Sequence, residues 1–185
     1  MKILRARSSH LLVIDVQAKL TPALAEPDAL LAQVKLLLAA AGELDVPVTV
    51  TEQYPAGLGH TATEVLERLP AGTPVLEKIT FSALEADLVR IRLGNLRHDG
   101  REQLVVCGAE AHVCVLQTVM AALEAGFAVA LVTDAVASRK RHSHDIALQR
   151  MQAAGAMLVT TEMVCFEWLG QAGTASFRRL IAQIK

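Results

Sequence analysis

The sequence predicts an α/β fold in which helices cover both faces of a parallel sheet, and three observations predict it. Short β-branched apolar runs alternate with longer stretches of helical period, the pattern of successive βα units. The runs are almost continuously apolar instead of alternating, as strands buried on both faces require. The longest intervening stretch carries its apolar residues on one stripe, as a helix packed on a sheet must. Six strands are expected: LLVIDV (11–16), VPVTVT (46–51), PVLEK (74–78), QLVVCGA (103–109), AVALVTD (128–134) and AMLVTT (156–161).

The first crossover helix is expected over 28–44, where Leu30, Leu31, Val34, Leu37, Leu38, Ala41 and Leu44 share a stripe and Asp28 sits in the first turn, favoured by the helix dipole. Shorter helical patterns occupy 61–68, 82–92 and 144–154, the last with Ser143 as its expected cap, and segments 162–169 and 175–184 close the chain. Residues 113–125, VCVLQTVMAALEA, leave only Gln117, Thr118 and Glu124 as a thin polar strip. A helix so apolar is either central or covered by another subunit, and a homo-oligomer is expected. At 185 residues the chain suits one buried core, so a single domain over 1–185 is expected.

Composition narrows the function classes. The 18 Lys and Arg nearly balance 19 Asp and Glu, so no global field draws the protein to nucleic acid or to an anionic membrane, and neither partner is expected. Mean hydropathy is positive, yet no stretch approaches the roughly 20 uninterrupted apolar residues of a spanning helix. The N-terminus MKILRARSSH is not followed by an apolar block with a cleavage site, because Asp15 interrupts the run. The expected setting is therefore the cytoplasm, with the three cysteines reduced.

Ligands of open α/β sheets bind beyond the carboxyl ends of the strands, near the point where strand order reverses. Asp15, Glu52 with Gln53, Lys78, the segment Cys107 to Glu110, and Asp134 stand at those ends. Cys107 lies within its strand between Val106 and Gly108 and reads as core packing. Cys114 follows the loop AEAHV and opens the apolar helix, where free backbone N–H groups and the dipole favour a thiolate, so it is the reactive candidate. A thiol nucleophile needs a base, a cation to hold that base and donors for the developing oxyanion. Asp15 and Lys78 emerge on the same sheet edge and could supply the first two.

Five stretches together, LLVIDVQ with Asp15, TEQYPAGLG after the second strand, EKITFSAL with Lys78, CGAEAHVCVLQT with Cys114 and DAVASR after the fifth strand, resemble the motifs of the isochorismatase-like cysteine hydrolases. They occur in the family's order over about residues 8–170, and the small single-domain branch of isochorismatase domain-containing proteins is the part most resembled. The resemblance implies a three-layer α/β/α, Rossmann-like fold with strand order 3-2-1-4-5-6, and a catalytic set of Asp15, Lys78 and Cys114. It also implies a cis peptide between Ala109 and Glu110, with the backbone N–H groups of Glu110 and Cys114 forming the oxyanion hole.

Three departures shape the expected activity. Isochorismatases proper lack the nucleophilic cysteine, so Cys114 points to acyl or C–N chemistry on a small amide or acyl substrate through a thioester. Many amidase relatives carry a Thr where this chain has Ala111. Nicotinamidase-type relatives hold a metal through an Asp and histidines after the second strand, where this chain offers only His60, so neither a metal nor another cofactor is expected.

Other residues carry two readings each. Glu110 contacts substrate or merely follows its recruited backbone. His112 is a general acid or a polar group at a helix start. Gln17 orients Asp15 or caps a turn, while Tyr54 and Phe81 wall a small pocket or pack in the core. Gln17, Tyr54, Phe81 and His112 are thus the candidate substrate-binding residues. RKRHSHD (139–145) is an anion site or a solvated loop, and Cys165 and Trp168 serve packing or a subunit contact. Two rival functions remain: a binding or oligomeric scaffold with little turnover, and a redox pair formed by Cys107 and Cys114.

Overall fold

The computed structural model describes residues 3–184. Six strands, β1 (Ser9–Ile14), β2 (Val48–Gln53), β3 (Val75–Lys78), β4 (Gln103–Ala109), β5 (Ala128–Ala137) and β6 (Met157–Val159), form one sheet ordered β3-β2-β1-β4-β5-β6. Every neighbouring pair is parallel. The expected fold class and strand order are therefore those observed. The helices are α1 (Pro27–Glu43), α2 (Pro55–Leu58), α3 (Thr63–Leu66), α4 (Asp87–His98), α5 (Leu116–Glu124), α6 (Arg141–Ala153), α7 (Thr161–Leu169) and α8 (Ala175–Ile184).

Strand periodicity sorts the core into two clusters. Leu11 and Val13 of β1, Val105 and Cys107 of β4, and Ala130 and Val132 of β5 pack with α1, α3, α7 and α8 on one face. Leu12, Ile14, Leu104, Val106, Val129 and Leu131 point the other way and pack with α4, α5 and α6. Cys107 and Cys114 belong to different clusters, on opposite sides of the sheet. The redox pairing of these two cysteines is thereby overturned, because a disulfide needs its Cβ atoms about 4 Å apart.

Several boundaries differ from expectation for identifiable reasons. β1 starts two residues early because polar Ser9 and His10 find buried partners: Trp168 Nε1 donates to Ser9 Oγ at 2.9 Å, and the His10 ring meets Thr49 Oγ1 at 2.9 Å. β2 is likewise displaced, extending to Gln53. α4 begins at Asp87, not at 82, after a single 3-10 turn over Ala83–Glu85. Ser143 is not a cap, since α6 already begins at Arg141. α7 is capped instead by Thr160, whose hydroxyl accepts from Met163 N–H at 3.3 Å. α5 lies in the outer layer rather than centrally, with Met120, Ala121 and Leu123 half-buried. No helix among the described residues is long and apolar enough to cross a membrane.

Candidate active site

β1 and β2 end side by side, and the geometry of the site begins there. Ile14 pairs with Thr51, and the chain then leaves the sheet at Asp15, whose left-handed φ of 52° is a conformation that Asp tolerates better than most residues. The turn presents the Asp15 carboxylate to two donors. Thr51 Oγ1 donates to Oδ1 at 2.7 Å, and Lys78 Nζ, from the end of β3, donates to Oδ2 at 2.7 Å. Neither the Lys78 nor the Asp15 side chain has any solvent exposure. Lys78 Nζ also donates to Gln53 Oε1 at 2.8 Å and to the carbonyls of Thr80 and Phe81 at 3.3 Å, so a buried ammonium is surrounded by acceptors.

β4 brings the sulfur to this pair. Gly108, at φ 118°, lies so near β1 that a Cβ there would collide with the Ile14 carbonyl, and this approach sets the tip of β4 against the Asp15 turn. The Ala109–Glu110 peptide that follows is cis. The chain then makes a wide turn over Ala111–Val115, in which Glu110 O accepts from Val113 N at 3.0 Å and Val115 N at 3.2 Å, passing over Cys114 N–H. Cys114 is 6% exposed. Burial first, and then the Asp15 carboxylate by charge and hydrogen bonding, push its thiol up to about 12 against the downward pull of the Lys78 ammonium. Both groups of the ion pair thus act on the sulfur.

That raised value corrects one expectation. Burial and the neighbouring carboxylate raise the thiol, the opposite direction to the lowering expected of a helix start. The Asp15 carboxylate is hydrogen-bonded to the thiol.

The remaining candidates are placed as follows. Gln17 is fully buried and does not orient the Asp15 side chain: it takes Gln53 N–H at 2.8 Å and donates to Gln53 O at 3.0 Å and Gly59 O at 2.5 Å, tying β2 to the following loop. Its substrate-binding reading falls, since its amide is engaged by backbone. The Glu110 carboxylate accepts from Arg139 N and Nε, both at 3.0 Å, so the side chain fastens the β4 tip to the β5–α6 loop. His112 Nδ1 meets Ser138 Oγ at 2.9 Å, two residues from Cys114. Tyr54 and Phe81 are both more than half exposed, which excludes the core reading of each. Three side chains of the basic stretch pair with acids, Arg139 with Glu110, Arg141 with Glu26 and His144 with Asp145. Cys165 and Trp168 pack in the α1-side core.

Thr51 was not legible as a site residue. Its hydroxyl lies on the carboxylate only through the β1–β2 register, which no local motif encodes.

Residues 9–163 match the model of the isochorismatase domain. Isochorismatase domain-containing protein 2 of Homo sapiens is 35% identical over 184 residues, covering 96% of this chain and 83% of that protein. The structure is similar to that of a MAR1 ribonuclease from Caenorhabditis elegans, with TM-score 0.92, 33% identity, and coverage of 99% and 92% of the two chains. It is also similar to the YcaC gene product of Escherichia coli, described as an octameric hydrolase of unknown specificity, with TM-score 0.89, 25% identity, and coverage of 99% and 91%.

Proposed function

Because this chain belongs to the isochorismatase family, we propose that it is a cysteine hydrolase acting on a small amide or otherwise activated acyl substrate through a thioester. Family membership supports hydrolase chemistry in general. The observation that carries the finer reading is the water-excluded Asp15–Lys78 pair at 2.7 Å acting jointly on the Cys114 thiol.

In this mechanism the thiol proton passes to Asp15 as the sulfur attacks the carbonyl carbon, so a neutral resting thiol is compatible with catalysis. Lys78, not a metal, is the cation beside Asp15. The oxyanion rests on the N–H groups of Glu110 and Cys114, and losing one such donor typically costs about 3 to 4 kcal/mol of transition-state stabilisation. Asp15 then returns its proton to the departing amine and, in the second half-reaction, takes one from the water that cleaves the thioester. Ala111, where many amidase relatives have a hydroxyl, leaves positioning of the substrate to other groups.

A screen of small amides and esters with wild type, Cys114→Ala and Cys107→Ala tests the reading. Hydrolysis is expected to vanish in Cys114→Ala and to survive in Cys107→Ala; the reverse pattern overturns it. Activity nowhere in the screen, with intact folding, favours a binding or oligomeric scaffold. The similarity to a ribonuclease adds an RNA oligonucleotide to the screen. With 18 basic against 19 acidic side chains we expect no cleavage of it.

A further inference from the structure

We propose that Glu52, His60 and Glu77 form a site for a first-row divalent cation of Zn2+ type, on the sheet face opposite Cys114. The proposal does not depend on the hydrolase reading. It begins from a local conflict: in the parallel register of β2 and β3, Glu52 stands directly beside Glu77. Strands are about 4.8 Å apart, and like charges at that spacing repel. The two carboxylates and the His60 ring converge, so that one ligand atom from each lies within 4.8 Å of the others.

The donor set and its support suit such a cation. His60 Nδ1 and Glu52 Oε2 are hydrogen-bonded at 2.9 Å, a contact that the cation would replace. With Zn–O and Zn–N bonds of about 2.0–2.1 Å, a cation bound to both would subtend about 90°, an ordinary ligand angle. The other Glu52 oxygen, Oε1, is held by Thr61 N–H at 2.6 Å and Thr61 Oγ1 at 2.7 Å, the kind of outer contact that fixes a ligating carboxylate. Glu52 is buried while His60 and Glu77 are exposed, so one ligand is rigid and the other two can close on an ion arriving from solvent. A nitrogen donor with two carboxylates selects a borderline metal over Mg2+ or Ca2+, which prefer all-oxygen shells. Val50, two residues before Glu52, packs in the α1-side core, whereas Cys114 belongs to the other cluster. The cation would join β2, β3 and the loop that Gln17 fastens at Gly59.

The test is calorimetric titration of Zn2+ alone into chelator-stripped Cys114→Ala protein, a background that removes the thiol nearest the candidate active site. One equivalent is expected to bind. Affinity should fall by about tenfold or more when His60→Ala or Glu77→Gln is added. Both positions are exposed, and the unfolding midpoint without metal checks that each variant folds. Zn2+ should raise that midpoint in the background protein and not in His60→Ala. Absence of binding, equal affinity in all three proteins, or Mg2+ binding as tightly as Zn2+ would overturn the site.

Discussion

Lys78 holds its ammonium where water is excluded, 2.7 Å from Asp15 and 2.8 Å from Gln53 Oε1. Each charge of such a pair is tolerable only because the other is present, so removing one partner typically costs about 3–5 kcal/mol. Lys78→Met is therefore expected to lower stability by about that amount as well as activity, and urea unfolding measures it. A change below about 1 kcal/mol would mean that Asp15 finds other compensation. The pair was suggested by the chemistry a thiol nucleophile needs. Its depth, and the Thr51 hydroxyl on the second carboxylate oxygen, were not.

Two features of single elements bear on the site. Gly108 closes the gap between β4 and β1 with a positive φ and with no room for a Cβ against the Ile14 carbonyl. Gly108→Ala is expected to cost at least about 3 kcal/mol and to reduce hydrolysis, because relieving the clash moves the β4 tip, with Cys114 behind it, away from Asp15. Unchanged stability and activity would show that the approach does not position the site. In β1, His10 is wholly buried beside Thr49, and burial, then Arg92 and Arg101, lower its pKa to about 3. The unfolded chain protonates this histidine below about pH 6.5 while the folded one does not, so its contribution to stability is intact above 6.5 and is lost as pH falls toward 3. The acid-side fall of the unfolding midpoint should be shallower in His10→Gln. Parallel curves for the two proteins would refute the assignment.

At the scale of the whole molecule, the isolated chain leaves apolar surface uncovered. Ile79 and Phe81 after β3, and Leu88 and Ile91 one turn apart on α4, are exposed, and the outward side of α5 is only half-buried. We expect copies of this chain to cover these surfaces. Light scattering should give a multiple of 19.8 kDa, reduced by Leu88→Lys with Ile91→Lys. A monomeric wild type at micromolar concentration would remove the expectation.

The sequence by itself determined the layered α/β architecture, because strand and helix periods and continuous apolar runs are local properties that survive without coordinates. It also separated Cys107 from Cys114, since one lies inside an apolar strand and the other after a loop. Boundaries slipped where a polar residue had a distant partner, as with Ser9 and Trp168, and the roles of Gln17 and Glu110 stayed open for the same reason. Only the tertiary structure decided the upward shift of the Cys114 thiol and the meeting of Glu52 with Glu77. Both follow from burial and from register between strands far apart in the chain, and neither quantity is written in any short stretch of residues.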